Sequence, residues 1–124
     1  MGAPTPPEVA EFVHHFNAGE YEASTLALIA AWQRNASPFY KGLIQLAGAF
    51  QHWEGGNAFW AEDLFASAYN LLAPYAPTHA GLDIAKLLTD IAECNRIARE
   101  ARKAGAPGSE PSPMPRLQLV PALG

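Results

Sequence analysis

Long stretches without proline limit what this chain can fold into. Its 11 prolines lie near the two ends and at positions 38, 74 and 77, so that residues 8–37, 39–73 and 78–106 contain none. Proline lacks a backbone N–H and clashes with the preceding helical turn, so helices begin at it or end before it. Each of the three windows can therefore hold uninterrupted helix.

Apolar residues recur within these windows at helical spacing. In the clearest case, large apolar side chains follow one another from Phe39 to Trp53 at steps of 4, 3, 4 and 3 residues, and Gly55 and Gly56 come next. Such steps place side chains on one face of an α-helix, and glycine readily adopts the left-handed conformation that ends one. The pattern predicts five helices, over about residues 6–17, 20–34, 38–54, 58–73 and 81–103.

The two later helices carry more specific predictions. In the fourth helix, which Asn57 caps, the apolar stripe is predicted at Trp60, Leu64, Ala68 and Leu71, widened by Ala61, Phe65 and Leu72. In the fifth helix the side chains beyond Cys94 are short or charged. The last two turns of that helix are therefore expected to leave the bundle.

Short connections between these helices define the fold class. Links of about two to eight residues make neighbouring helices antiparallel. We predict an all-α, up-and-down bundle of about five helices, with no strand. The helix breaks FNAGEYEA (16–23) and EGGNAFWA (54–61) are 38 residues apart and give the helix pairs a tetratricopeptide-like character.

The helical windows and the remaining sequence indicate one domain and a tail. Residues 1–104 are predicted to form a single helical domain. Residues 105–124 combine Gly, Pro and Ser without periodicity, which predicts a flexible tail. Its short apolar piece, Leu117, Leu119 and Val120, can dock on the domain, stay disordered or act as a partner motif.

The charge balance argues against nucleic acid as a partner. The chain has 8 Lys and Arg against 12 Asp and Glu, a net charge of −4, whereas nucleic-acid proteins present a basic face to phosphates. One basic cluster lies at residues 96–103, where cations favour the C-terminal end of a helix. A site for phosphate or an acidic partner is the alternative interpretation of that cluster.

Neither a membrane span nor a secretion signal is indicated. No apolar run approaches the ~18 residues that a span needs, and the first residues have no positive segment leading into an apolar stretch. We therefore expect a cytoplasmic protein. The single cysteine, Cys94, permits no internal disulfide and cannot form a zinc cluster alone.

Three segments share their order and spacing with a known family: FNAGEYEASTLALIAAW (16–32), KGLIQLAGAFQHWEGGN (41–57) and LLAPYAPTHAGLDIAKLL (71–88). They resemble the domain of unknown function 309 family of small prokaryotic helical proteins. The resemblance covers about residues 16–91. It implies an all-α fold of packed antiparallel helices and no established activity.

The chain departs from this family at its most distinctive element, a His-Glu pair in the second helix with another Glu three residues on and a Trp three residues after that. An ungapped match ending at Trp32 puts these polar positions at Thr25, Leu26 and Ile29. None of the three can coordinate a metal or act as an acid or base. If family members are catalytic there, the resemblance implies that this chain has lost the activity.

A polar row on the third helix is the first candidate site. Lys41, Gln45 and His52 follow helical spacing on a different face from the apolar stripe. With Trp32 nearby they can line a groove in which Gln45 and His52 bind a carboxylate or an amide and Lys41 supplies charge. The alternative is a solvated or half-buried face on which Gln45 and His52 bond to backbone carbonyls.

Histidines and aromatic residues give two further patterns. His14 and His15 diverge by about 100° on a helix, so only one can share a site with Glu11, and no metal or cofactor is predicted. Large aromatic side chains surround the Gly55 and Gly56 turn. Of these, Phe59 and Trp53 can lie outside the core and form a contact surface.

Two functions remain open. The missing titratable groups, the low surface charge and the aromatic cluster favour a non-catalytic interaction or scaffold module that binds a protein partner or a second copy. The alternative is a small ligand-binding protein or hydrolase-like enzyme that uses Trp32, Gln45 and His52.

Overall fold

A computed structural model describes residues 5–104 and 118–121 of the chain. Five α-helices occupy most of them: α1 (Pro7–Asn17), α2 (Tyr21–Asn35), α3 (Pro38–Glu54), α4 (Ala58–Leu72) and α5 (Ile84–Ala104). Each helix packs on the one that follows it, and a short hairpin forms part of the connection between α4 and α5. The predicted all-α helical bundle is thereby confirmed.

Side-chain caps begin α3 and α4 where the sequence places them. Ser37 Oγ accepts a hydrogen bond from the Tyr40 N–H (3.4 Å), and Pro38 occupies the first turn of α3. Asn57 Oδ1 accepts one from the Trp60 N–H (3.2 Å). Gly56, at φ +81°, supplies the left-handed residue between the two helices.

One aromatic side chain joins four helices in the core. The ring of Phe50 on α3 has its centroid 5.7 Å from that of Phe16 on α1, 5.1 Å from that of Tyr21 on α2 and 5.2 Å from that of Phe65 on α4. The contacts with Phe16 and Phe65 are edge-to-face, an arrangement that the ring quadrupole favours.

The region between α4 and α5 differs from the prediction, because it contains two short strands. Strands β1 (Thr78–His79) and β2 (Leu82–Asp83) pair antiparallel across Ala80 and Gly81, whose φ angles are 52° and 77°. Positive φ at both positions is what a two-residue hairpin turn requires. Helix α5 therefore begins at Ile84 rather than at Gly81, and Asp83 Oδ1 accepts a hydrogen bond from the Lys86 N–H (2.9 Å).

The last turns of α5 do not leave the bundle, so that expectation is wrong. Ala98 is fully buried. Further along, Arg102 donates two hydrogen bonds to the carboxylate of Glu62 on α4, at 2.7 and 3.1 Å, and Asn95 Nδ2 donates to the Glu62 carbonyl (2.9 Å). The hydrogen bonds from Arg102 lower the pKa of Glu62, which keeps that carboxylate ionised.

The predicted apolar stripe of α4 is rotated from the face that the structure buries. Trp60 is half exposed, and the buried positions are Ala61, Phe65, Ala68 and Leu72. Helix α4 packs against both α3 and α5. Its buried face is centred between these two neighbours, which leaves Trp60 at the margin.

Residues 118–121 dock on the domain, which is one of the three alternatives left open for the apolar piece of the tail predicted over 105–124. Leu119 is 3% exposed and belongs to the core. The other residues of that range lie outside the described part of the chain. None of the described helices combines the length and apolar character that crossing a bilayer requires.

Close packing of α3 on α4 depends on a glycine. A Cβ atom at Gly42 would lie 2.8 Å from Leu72 Cγ and 3.2 Å from Leu71 Cβ, whereas one at Gly48 would lie 3.6 Å from Leu64 Cδ1. The 3.6 Å distance at Gly48 is an ordinary van der Waals contact. The 2.8 Å distance at Gly42 is too short, so Leu72, which is fully buried, would have to move inside the core.

We expect Gly42→Ala and Gly48→Ala to change stability in opposite directions. Both gain up to ~1 kcal/mol of helix propensity, but overpacking at Gly42 costs about 1–3 kcal/mol. Urea denaturation should show a raised free energy of unfolding for Gly48→Ala and a lowered one for Gly42→Ala. An equal rise in both variants would contradict the close approach of α4 to Gly42.

Candidate functional site

The polar row predicted on α3 is spread along the helix. Lys41 and His52 are exposed and Gln45 is half-buried. Lys41 and His52 are 11 residues apart, which corresponds to about 16 Å along the helix axis. A single small ligand therefore cannot contact both ends of the row.

Trp32 lies half-buried on α2, and the residues of the proposed groove are only partly brought together. Among the described residues, no hydrogen bond or ring contact joins Trp32 to Gln45 or to His52. The ring contact of His52 is instead with Trp60 of α4, at a centroid distance of 6.5 Å. His52, in the last turn of α3, is thus close to the start of α4.

Gln45 is the unusual member of the row. Its Oε1 atom is buried and has no hydrogen-bond partner. Buried acceptors without a partner are rare and cost free energy, because the oxygen loses its hydration without compensation. This atom can accept a hydrogen bond from an N–H or O–H group that reaches it.

The second helix offers no ionisable group where the related family carries them. Thr25 is half-buried, and its Oγ1 donates a hydrogen bond to the Tyr21 carbonyl of the same helix (3.2 Å). Leu26 is 64% exposed. In the described part of the chain, no group of three or more His, Cys, Asp or Glu side chains is placed to hold a metal ion.

One histidine of the α1 pair, His15, contacts two carboxylates. His15 Nδ1 lies 2.8 Å from Glu20 Oε1, and His15 Nε2 lies 4.0 Å from Glu11 Oε1. The ring of His14 meets that of His15 edge-on, with 5.3 Å between centroids. The imidazole of His15 therefore links the end of α1 to the start of α2.

Exposed aromatic rings form a surface at the N-terminal end of α4. Phe59 is 56% exposed and Trp60 is 49% exposed, and their rings meet nearly at right angles with 5.4 Å between centroids. With the neighbouring His52, these residues are named the aromatic surface. Trp53, which was expected beside Phe59, packs against the core instead, so that expectation is wrong. Trp60 takes its place outside.

A groove of about 320 Å³ lies between α4 and α5, and the sequence patterns did not indicate it. Its polar lining comes from Tyr69, Asn70, Asn95, Arg96 and Arg99. Arg96 pairs with Glu93 at 2.6 Å and with Glu100 at 2.9 Å. Arg99 donates to Asn95 Oδ1 at 2.9 Å and lies 3.7 Å from Glu62. Carboxylates on the two helices thus neutralise much of the basic cluster at 96–103.

Comparison of the chain with protein-family models, with curated proteins and with solved structures returns no match. The resemblance to the domain of unknown function 309 family therefore stays a prediction from the quoted segments.

Cys94 is a buried thiol without nucleophilic character. It is 1% exposed, and burial, together with the nearby Asp90 and Glu93, raises its pKa to about 12. A thiol reacts as its thiolate. At pH 8 the raised pKa lowers the thiolate fraction about a thousandfold relative to an ordinary cysteine.

We expect Cys94 in the folded protein to resist alkylation. Iodoacetamide at pH 8 should modify it at least about a thousandfold more slowly than in the urea-unfolded chain, which serves as the control. Mass spectrometry of quenched samples measures both rates. Similar rates in the two states would show that the thiol is accessible and ionisable.

Proposed function

We propose that the protein is a non-catalytic interaction or scaffold module that binds a protein through its aromatic surface. The observation that carries this proposal is the exposure of Phe59 and Trp60 side by side on a rigid helix start. Exposed apolar patches mark contact sites, and aromatic side chains dominate binding energy at interfaces. Both rings lie on the first turn of α4, which Asn57 caps, so binding there does not carry the cost of ordering a loop.

The state of the ionisable groups supports a binding role over catalysis. Glu62 is bonded to Arg102, His15 contacts two carboxylates, and the pKa of Cys94 is raised. Each of these groups is committed to a structural contact. The positions Thr25, Leu26 and Ile29 carry no acid or base. We also propose that the chain is a divergent member of the domain of unknown function 309 family.

The cysteine and the charged residues support a compartment and a class of partner. A buried free thiol suits a reducing compartment, which supports the cytoplasm. The net charge of −4 and the paired arginines favour a protein partner or a second copy over nucleic acid.

Truncation of the two rings tests the proposal. We expect Phe59→Ala/Trp60→Ala to weaken self-association or partner binding about 30-fold or more, because truncating an interface hot spot costs ~2 kcal/mol or more. Leu26→Ala is the control, since Leu26 is an apolar side chain on another helix and is more exposed than either ring. Light scattering and affinity capture should be run on all three proteins.

The result has two informative forms. Association that is lost in the double variant and kept in Leu26→Ala supports the aromatic surface as the binding site. A wild-type protein that stays strictly monomeric and recovers no partner sensitive to the two rings contradicts the proposal.

A second candidate is a small ligand-binding protein or hydrolase-like enzyme that uses Trp32, Gln45 and His52. The buried, unpartnered Oε1 of Gln45 favours it, because this acceptor matches the N–H of an amide. Acetamide should then shift the side-chain amide resonances of Gln45 in a saturable way. A titration without saturation would remove this candidate.

A further inference from the structure

A four-residue segment near the end of the chain lies between α1 and the hairpin and contacts both. Residues 118–121 lie between the last residue of α1, Asn17, and strand β2. The Asn17 side chain accepts a hydrogen bond from the Leu119 N–H (2.8 Å) and donates one to the Leu119 carbonyl (3.0 Å). Gln118 Nε2 donates to the Asn17 carbonyl (3.2 Å). The side-chain amide of Asn17 therefore holds the backbone of Leu119 at both of its polar groups.

Strand β2 holds the other half of the segment. The Asp83 N–H donates to the Val120 carbonyl (3.0 Å), and Leu82 and Pro121 form an antiparallel bridge. The segment thus extends the two-stranded sheet by β-augmentation, in which the main chain supplies the hydrogen bonds. Pro121 has no N–H to donate, which is tolerated at such an edge.

One side chain anchors the segment. Leu119 enters the core and is only 3% exposed, whereas Gln118 and Pro121 are exposed. A backbone clamp with one apolar pocket is how domains recognise extended peptides. The groups that hydrogen-bond the segment belong to Asn17 and Asp83, which are more than 30 residues before it in the chain and on separate elements.

We propose that Asn17 and the edge of β2 form a peptide-binding site for the extended sequence Gln-Leu-Val-Pro, and that the 118–121 segment of a second copy of this chain can fill it. A segment from a second copy offers the same atoms as the resident one. Such an exchange preserves every contact and is a low-cost route to a dimer.

The length of the chain is compatible with this exchange. Helix α5 starts beside Asp83 and has 21 residues, so Ala104 lies about 31 Å along the helix from the site. Residues 105–117 connect Ala104 to the segment. Fully extended, this connection reaches about 45–50 Å. It can therefore return to the site of its own copy or reach that of a copy packed alongside.

Complementation between two defective full-length variants tests the exchange. Leu119→Ser keeps the site but cannot bury its own segment, and Asn17→Ala keeps the segment but loses the clamp. We expect each variant to be monomeric and their equimolar mixture to form a 1:1 heterodimer, with a dissociation constant at least tenfold below that for self-association of either one. Sedimentation velocity measures all three samples, and circular dichroism verifies folding.

Two controls make the result decisive. The double variant Asn17→Ala/Leu119→Ser should form no heterodimer with Leu119→Ser. If Asn17→Ala unfolds, Asn17→Asp should replace it, because that variant keeps the acceptor for the Leu119 N–H but places a carboxylate oxygen against the Leu119 carbonyl. Adding Phe59→Ala/Trp60→Ala to both partners should leave complementation unchanged. The test of segment exchange is therefore independent of the proposal that the aromatic surface binds a protein.

A labelled peptide distinguishes the possible occupants. The peptide RLQLVPAL, which has the sequence of residues 116–123, should bind the Leu119→Ser protein in fluorescence anisotropy and bind Asn17→Ala at least tenfold more weakly. Heterodimer formation together with peptide binding supports the proposal. If the peptide binds but no heterodimer forms, the proposal that a second copy fills the site is wrong. If neither is observed, the proposal of a peptide-binding site is wrong.

Discussion

The ring contacts of Phe50 are the interaction on which the arrangement of the helices depends. This single ring on α3 contacts rings on α1, α2 and α4, so four helices meet around one side chain. Gly42, two turns earlier on the same helix, lets α4 approach closely enough for Phe65 to meet that ring. Helix α5, which has no aromatic residue, is held by aliphatic packing and by the pairing of Arg102 with Glu62.

Local signals predicted the first half of the fold well. The spacing from Phe39 to Phe50 gave the buried face of α3, and Asn57 marked the start of α4, because periodicity and caps are properties of a few neighbouring residues. Errors arose where a distant partner decides the outcome. Trp60 lies outside because α5 covers the other side of α4, and Ala98 is buried because the end of α5 stays packed on α4, where Arg102 also meets Glu62.

The candidate site shows the same limit. Helical spacing placed Lys41, Gln45 and His52 on one face, but a row on one helix becomes a pocket only if another helix closes it. The ring contact of His52 is with Trp60, and Thr25 is bonded to its own helix. Among these residues, the buried oxygen of Gln45 is the feature that sequence reasoning had no means to find, since it depends on which atoms of neighbouring helices come near.

The 118–121 segment unites two features that look unrelated in the sequence. A helix end leaves backbone carbonyls unpaired, and a sheet edge leaves N–H groups unpaired. Asn17 ends α1, and Asp83 lies on the edge of β2. Four residues satisfy both, because Gln118 bonds the Asn17 carbonyl while Val120 accepts from Asp83. The composition of the region does not predict this role. The surrounding Gly, Pro and Ser indicate that the region can bury little apolar surface, but they do not indicate which backbone groups can form hydrogen bonds.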